Sequence, residues 1–296
     1  MRLAIFALLA AAGSFAQPLS EALNARIENF QGAVSLYAKN LDSGETIGVR
    51  PTDPVRTAST IKLPIMLTVF NAVEHGKAKW TEPLTVTPAE KVSGSGIIGA
   101  EFSDGVQLPL RDVLHLMIVL SDNTATNMIL ERFTADAVNS YLDSIGIKTT
   151  RSMRKIRGDG NQLKTPAGFS AAGKLPENQK YGLGVSTPRD MVTILEKLER
   201  GEIVSPEASR EMLAIMKRCQ DNTGVRRRLS GVPIAHKTGA LDALRSDVAL
   251  VYSKGGRIAM AITVDEMTKP DWSPENPGSV LISDLVKLLV DGLAKK

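Results

Sequence analysis

The stretch "RTASTIKLPIM", Arg56 to Met66, sets a serine three residues ahead of a lysine at the start of an apolar, helix-like run. Residues three apart share one face of a helix, so the amine of Lys62 is predicted to lie beside the hydroxyl of Ser59. The dipole and free N–H groups of a helix start favour developing negative charge. Apolar surroundings lower the pKa of a lysine, which makes a neutral amine available as a base.

This pair alone does not establish a catalytic site, because an N-cap serine beside a lysine that extends its amine to solvent would have the same sequence. A chain of this length should contain about one Ser-x-x-Lys by chance. Two further triplets follow in order, Ser121-Asp122-Asn123 and Lys237-Thr238-Gly239. Each of these should arise by chance in fewer than about one in ten such chains. The ordered set of three is therefore a specific signal.

The local contexts of the two triplets also favour a site. "LSDNTATN" begins where the apolar run "LHLMIVL" ends, so the Ser-Asp-Asn turn is predicted to project from a core element into a crevice. A plain helix cap is the alternative. "HKTGA" opens a strand, and a lysine on a strand that faces a crevice is a natural anion site. The alternative there is a turn that needs Gly239 for its backbone geometry.

Strand-like and helix-like patterns divide the chain. Alternating apolar and polar residues occur near both ends, as in "AVSLYAKN" and "GRIAMAITVD", whereas helical periodicity dominates between them. We predict an α/β (α+β) fold with an antiparallel sheet from both chain ends, flanked by helices, and an inserted all-helical domain. The α/β domain would comprise residues 17–55 and 233–296, the helical domain residues 56–232. A site is expected in the crevice between them.

Composition and the remaining motifs narrow the function classes. With 296 residues, 43% of them hydrophobic, the chain can bury a large core. A net charge of +4 with only 4% aromatic residues and no basic stripe argues against nucleic-acid binding. "GSGIIG", Gly94 to Gly99, matches a dinucleotide motif but follows no predicted strand, so it is interpreted as a loop. The three histidines are far apart, and we expect neither a metal nor a cofactor.

Residues 1–16 are predicted to be a secretory signal. Arg2 provides the positive charge, "LAIFALLAAA" is too short an apolar core to span a bilayer, and Ser14 and Ala16 fit a cleavage site. The mature protein would begin near Gln17, with no membrane attachment after cleavage. It is expected in the periplasm or secreted, as a monomer. The single cysteine, Cys219, excludes an internal disulfide.

The three motifs, in this order, resemble those of the penicillin-recognising serine hydrolases, above all the class A β-lactamases. The resemblance runs from about Leu19 to the C-terminus and includes "SDNTATN" and the helix start "STPRDM". It implies a β-lactamase/transpeptidase-like fold and chemistry through an acyl-enzyme. The expected substrate is a small molecule, either a β-lactam or a D-alanyl peptide.

The resemblance also implies roles for individual residues. Ser59 would be the acylated nucleophile, Lys62 its base partner, and Ser121 the relay of a proton to the leaving lactam nitrogen. The remaining positions would bind substrate: Asn123 would hold its side-chain amide, and Lys237 and Thr238 its carboxylate. Gly239 and Ala240 would contribute as part of the same strand, and the N–H groups of Ser59 and Ala240 would form the oxyanion hole. Arg245 would give the carboxylate a second cation.

One departure from the family pattern bears on turnover. Class A enzymes carry a Glu-x-x-Leu-Asn segment whose glutamate activates the deacylating water, and this chain has no such segment. Alignment on the arginines of "TTRSMRKIRGDG" brings the glutamate position on or near Ile156. Asp159 and Glu177 are the nearby carboxylates, and each is either a deacylating group or a solvated loop charge.

Three functional hypotheses follow. The first is a serine β-lactamase that hydrolyses the lactam amide and confers antibiotic resistance. The second is a penicillin-binding serine peptidase or esterase that β-lactams acylate and that turns over slowly, because turnover needs a positioned water and a base. The third is a non-catalytic binding or sensing protein that keeps the fold.

Overall fold

The computed structural model describes residues 13–158 and 167–294, with side chains from Pro18 onward. Of the predicted signal segment, residues 1–12 lie outside the described residues, and Gly13 to Ala16 belong to the first helix. The candidate deacylating residue Asp159 also lies outside them. Within the described ranges, no helix is long and apolar enough to cross a membrane.

A five-stranded antiparallel sheet joins the two ends of the chain. Its strand order is β2-β1-β10-β9-β8, so the first long strand pairs with the last. Ala33 faces Asp265 and Asn40 faces Ile258 across that pair. The strands of this sheet are β1 (Ala33–Asn40), β2 (Thr46–Val49), β8 (Ile234–Leu241), β9 (Leu244–Ser253) and β10 (Gly256–Asp265).

Two small sheets lie between these ends. One has the order β3-β7-β6 and the other pairs β4 with β5. Their strands are β3 (Val55–Arg56), β4 (Pro83–Thr85), β5 (Gln107–Pro109), β6 (Arg151–Ser152) and β7 (Gly184–Ser186). Through β3, the first small sheet leads directly into the turn that carries Ser59.

Ten helices accompany the strands within the described residues. Five of the longer ones begin after a residue whose side chain accepts an N-terminal N–H, as Thr187 does for Asp190 N at 3.0 Å. The helices are α1 (Gly13–Ile27), α2 (Lys62–Glu74), α3 (Ile98–Glu101), α4 (Leu110–Val119), α5 (Asn123–Phe133), α6 (Ala135–Ser144), α7 (Ala171–Lys174), α8 (Pro188–Glu199), α9 (Pro206–Met216) and α10 (Pro277–Gly292). Two 3₁₀ turns, Ala58–Ile61 and Pro176–Tyr181, complete the backbone.

The main sheet is buried on both faces, because alternate residues of its strands enter two separate cores. Ala249 and Met260 pack with α1 and α10 in one core. Leu250 and Ala261 pack in the other, which also contains α2, α4, α5, α8 and α9. Side chains alternate across a strand, so β9 and β10 contribute to both cores at once.

The predicted fold class is confirmed: an antiparallel sheet from both chain ends is flanked by helices, with a helical region inserted between them. Helix α8 belongs by sequence to the predicted helical domain, yet it packs against β1 and β10 of the sheet. The division into two domains at residues 56 and 232 stays a prediction.

Candidate active site

Ser59 lies in the 3₁₀ turn Ala58–Ile61, so the α-helix begins about one turn later than the sequence predicted. Helix α2 begins only at Lys62, because the preceding backbone is bent. Ala58 has a φ of +45°, a conformation that a residue with a Cβ adopts only under strain. Strain of this kind persists where surrounding structure enforces it, often at functional sites.

Strand β8 provides that enforcement through a close approach at Gly239. A Cβ placed on Gly239 would lie 2.7 Å from the carbonyl oxygen of Thr57 and 3.1 Å from the backbone nitrogen of Ser59. Only a residue without a side chain lets the strand come this close to the turn. The Lys-Thr-Gly strand and the Ser59 turn are thereby packed backbone to backbone.

Two connected hollows open beside Ser59. The outer cleft, of about 490 Å³, includes Ser59, Asn123, Ile156, Ala240 and Trp272 in its lining. The inner pocket, of about 310 Å³, is also lined by Ser59 and Ala240, together with Ser121, Asp221 and Thr238. Ser59 is half-buried between them. A small molecule of the predicted kind fits a concavity of this size.

The amine of Lys62 is fully buried and has three oxygen neighbours. Its Nζ lies 2.6 Å from the carbonyl oxygen of Ser121, 3.1 Å from Ser121 Oγ and 2.9 Å from Asn123 Oδ1. Burial, reinforced by the positive charge of Lys237, holds the pKa of Lys62 well below its ordinary value of 10.5. Among the described residues, no hydrogen bond joins Lys62 Nζ to Ser59 Oγ, although the sequence placed these groups side by side.

Ser121 stands between two lysines. Its Oγ lies 3.1 Å from Lys62 Nζ and 3.0 Å from Lys237 Nζ. The residue has a φ of +56°, so the turn that presents its hydroxyl is strained as well. Burial also lowers the pKa of Lys237. A hydroxyl bonded to two basic nitrogens is placed to pass a proton between them.

Asp122 shows why the Ser-Asp-Asn turn keeps its shape. Its Oδ1 accepts from Ala125 N at 2.8 Å and caps α5, while its Oδ2 accepts from Ile97 N and Ile98 N. A Cβ on Gly96, which has a φ of +108°, would lie 2.2 Å from that Oδ2. Of the segment "GSGIIG", Gly94 to Ile97 form a loop, as predicted, whereas Ile98 and Gly99 begin α3, and the segment packs on the motif. This turn caps α5, and its Ser121 and Asn123 also line the hollows beside Ser59.

Asn123 is held by the same loop. Its backbone N donates to Ser95 O at 2.9 Å and its Nδ2 donates to Ser93 O at 3.1 Å. Its Oδ1 faces Lys62, and the residue lines the outer cleft. Ser93, Gly94 and Ser95 form part of the same wall. Sequence reasoning missed this wall, because glycine and serine carry little signal beyond loop formation.

Arg245 is near the site, but its guanidinium is hydrogen-bonded to backbone carbonyl oxygens of the protein. Its Nη1 donates to the carbonyl oxygens of Leu241 and Leu244, each at 2.6 Å, and its Nη2 donates to Asp271 O. The guanidinium carbon lies 4.8 Å from the ring centre of Trp272, a largely exposed side chain at the mouth of the cleft. No sequence pattern predicted Trp272 at this position.

Ile156 lines the outer cleft, at the position predicted for the family's glutamate. Of the two candidate deacylating carboxylates, Asp159 lies outside the described residues. Glu177 is exposed in the second 3₁₀ turn and lines neither hollow. In the described part of the chain, the carboxylates that do line the hollows are Asp242 in the outer cleft and Asp221 in the inner pocket.

Known proteins resemble this chain in sequence and in fold over most of its length. The β-lactamase regulatory protein BlaB of Streptomyces cacaoi is 24% identical over 88% of this chain and 92% of its own. A β-lactamase from Sphaerobacter thermophilus has a TM-score of 0.79 and 28% identity, covering 94% of this chain and 97% of its own. A leucine-to-glutamate mutant of PBP-A, solved as an acyl-enzyme complex with penicillin G, has a TM-score of 0.77 and 28% identity, covering 93% and 96%.

The family model described as "Beta-lactamase enzyme family" matches residues 18–293, nearly all of the chain. This match and the solved relatives confirm the resemblance that the three motifs suggested. The chain belongs to the β-lactamase enzyme family.

Proposed function

We propose that this protein is a serine hydrolase that opens the β-lactam ring by forming an acyl-enzyme at Ser59. The observation that carries the proposal is the position of Ser121 Oγ, within 3.1 Å of both Lys62 Nζ and Lys237 Nζ and on the lining of the pocket that Ser59 shares. The nucleophile and the proton relay then border one cavity, and both basic groups bond to the relay hydroxyl, as acyl transfer requires.

Acylation would proceed with the amine of Lys62 neutral, as its lowered pKa favours. Lys62 takes the proton of Ser59 while Oγ forms a bond to the lactam carbonyl carbon. The N–H groups of Ser59 and Ala240 stabilise the negative oxygen of the tetrahedral intermediate. Ser121 donates its proton to the lactam nitrogen as the C–N bond breaks, and it is reprotonated from the lysines on either side.

A second candidate function is a penicillin-binding peptidase or esterase that remains acylated. It is favoured by Ile156, because an aliphatic side chain at the water-activating position supplies no base for deacylation. The acyl-enzyme complex of PBP-A with penicillin G, a relative at 28% identity, is in keeping with a stable adduct. The two candidates share the acylation step and differ in the lifetime of its product.

A third candidate, a sensing protein without turnover, is suggested by the name of the relative from Streptomyces cacaoi. For all three, we propose a small-molecule β-lactam or D-alanyl peptide as the ligand, action as a monomer, and export to the periplasm or medium after removal of residues 1–16. Export would bring the protein to where such ligands are found.

One assay distinguishes the candidates. Purified protein is mixed with a chromogenic cephalosporin, and colour and intact mass are followed for wild type and Ser59→Ala. Sustained turnover that the mutant loses supports a β-lactamase. A single stoichiometric burst with a lasting mass adduct supports the penicillin-binding candidate. If folded wild-type protein forms no adduct and shows no turnover, the proposed chemistry at Ser59 is wrong and the non-catalytic sensing candidate remains.

A further inference from the structure

Trp272 is the most exposed large apolar side chain in the described part of the chain, and it lies at the proposed site. The residue is 64% exposed. It lines the outer cleft together with Ser59, and it lines an adjoining pocket of about 210 Å³ together with Thr238. An indole in water gains hydrophobic free energy when a ligand covers it. The acylation chemistry gives this ring no role.

The indole is held in place before any ligand binds. The guanidinium carbon of Arg245 lies 4.8 Å from the ring centre, and this guanidinium donates to three backbone carbonyl oxygens. One of them belongs to Asp271, the residue before Trp272, and it also accepts from Asn276 Nδ2 at 2.7 Å. Asn276 is fully buried and caps α10. An ordered ring loses little conformational entropy on binding, so stacking on it is favourable.

The adjoining pocket indicates which part of a substrate would meet the ring. The proposed acylation has the substrate carboxylate at Lys237 and Thr238, and Thr238 shares this pocket with Trp272. In a cephalosporin, the ring carbon that carries the carboxylate is bonded to the carbon that carries the C3 substituent. The C3 substituent would therefore lie beside the indole. Ser95 also lines both hollows, and its small side chain leaves room for a second ring.

The charges around the indole are of both signs, which favours a neutral partner. Arg245 is a cation over the ring, whereas Asp221 lines the adjoining pocket and Asp242 the outer cleft. A cationic group stacked on Trp272 would be repelled by Arg245, and an anionic group by the two carboxylates. A neutral, electron-poor ring meets neither repulsion and is attracted by the electron-rich face of the indole.

We propose that Trp272 is a specificity-determining residue that stacks on a flat, unsaturated group next to the substrate carboxylate. This inference rests on the proposed acylation of Ser59. It keeps the carboxylate at Lys237 and Thr238, and it narrows the preferred β-lactams to those with an aromatic or conjugated group on the neighbouring ring carbon.

The test compares nitrocefin and cephalothin, two cephalosporins that share a thienylacetamido side chain. Nitrocefin carries a dinitrostyryl group as its C3 substituent, and cephalothin carries an acetoxymethyl group. The second-order rate constant of adduct formation is measured by intact mass at low probe concentration, and adducts with and without loss of acetate are counted together. The two probes differ in intrinsic reactivity, so the nitrocefin-to-cephalothin rate ratio of each variant is compared with that of wild type.

Trp272→Ala is expected to lower this ratio about tenfold, because one aromatic stacking contact and its buried area are lost. Trp272→Phe keeps an aromatic face, so its ratio should stay within about threefold of wild type. Because the side chain is largely exposed, both variants should fold, and melting curves check this.

Two control variants separate stacking from a general loss of apolar surface. Leu241→Ala removes an exposed apolar side chain from the same outer cleft, and it should shift the ratio less than about twofold. Leu175→Ala removes an exposed apolar side chain that lines neither the outer cleft nor the adjoining pocket, so the ratio should equal that of wild type.

An unchanged ratio in folded Trp272→Ala protein overturns the inference. An equal fall in Leu241→Ala, or a fall in Trp272→Phe as large as that in Trp272→Ala, also overturns it, because aromatic stacking would then not be the cause. If wild type forms no adduct with either probe, the proposed acylation itself is refuted. Adducts with an unchanged ratio leave acylation in place and remove only the role of Trp272.

Discussion

The side chain of Asn127 is bonded at both ends to the backbone of Ile156: its Oδ1 accepts from Ile156 N at 2.8 Å, and its Nδ2 donates to Ile156 O at 3.0 Å. Asn127 is fully buried in α5, so it ties the residue that lines the outer cleft to the rigid helix behind the Ser-Asp-Asn turn. The backbone at position 156 is thus fixed by bonds that do not depend on which side chain it carries.

Ile156→Glu is therefore expected to add a carboxylate to the cleft without displacing the chain. If a base at this position is what the protein lacks, decay of the penicillin acyl-enzyme should accelerate about 100-fold. The decay is measured by intact mass after a short pulse of penicillin G. Ile156→Gln is the matched control, with nearly the same shape and no base, and equal decay of the two variants would contradict the prediction.

Lys62→Arg should slow acylation about 100-fold or more, because a guanidinium stays protonated and cannot accept the proton of Ser59. The measurement is the rate of adduct formation with a chromogenic cephalosporin under single-turnover conditions. Circular dichroism and a melting curve check that the buried arginine is tolerated. A folded variant that acylates at the wild-type rate would exclude Lys62 as the base.

The pH dependence of acylation should follow the neutral form of Lys62. Burial and the charge of Lys237 lower its pKa, so the rate rises as pH increases through that lowered value and is lost as pH falls below it. Lys237→Gln removes a positive charge, so the pKa of Lys62 should rise and the acidic limb of the profile should move to higher pH. A limb that stays in place would show that another group controls it.

Ser121→Ala and Ser121→Gly should both slow acylation about 100-fold, since each removes the hydroxyl between the two lysines. Their stabilities should differ. At a φ of +56°, alanine is disfavoured and glycine is not, so the glycine variant should be more stable than the alanine variant by about 1 kcal/mol. Urea unfolding measures this difference, and equal stabilities would mean that the turn is not strained.

Gly239→Ala should displace the Ser59 turn, because the new Cβ would lie 2.7 Å from Thr57 O. A shift of this size at a nucleophile is expected to slow acylation about tenfold to 100-fold. Gly48→Ala is the control, a crowded strand glycine in β2, where a Cβ would lie 3.0 Å from Pro51 Cβ. It should reduce the melting temperature but leave acylation intact, and a similar loss of acylation in both variants would refute the local explanation.

The elements that the sequence predicted well are those in which a local pattern has one physical meaning. The alternation in "GRIAMAITVD" predicted a strand, and the structure has strand β10 there, because only a pleated strand places every second residue on one face. The apolar run before Ser121 predicted a buried element, and the structure has helix α4 there, which ends just before the motif. The three motifs predicted a common site, and the structure brings Lys62, Ser121 and Lys237 into contact.

The features that the sequence did not predict depend on tertiary contacts. The bend at Ala58 arises from the close approach of β8, and nothing in "RTASTIK" shows it. Lys62 turns from Ser59 toward the Ser121 turn, because that turn offers buried oxygens. Asp221 lies in "CQDNTG", where the letters predict only a turn, and its place beside Thr238 follows from the packing of α9 against β8.

The order of the strands sets the time at which a nascent chain can fold. Strand β1 is made early, but its partner β10 is made near the end of synthesis, and β8, which bends the Ser59 turn, is also late. Pairings between such distant segments form slowly, since a long loop must close before any contact rewards it. A ribosome-bound fragment that lacks the last strands should therefore contain Ser59, Lys62 and Ser121 but have no cavity and no reactive hydroxyl.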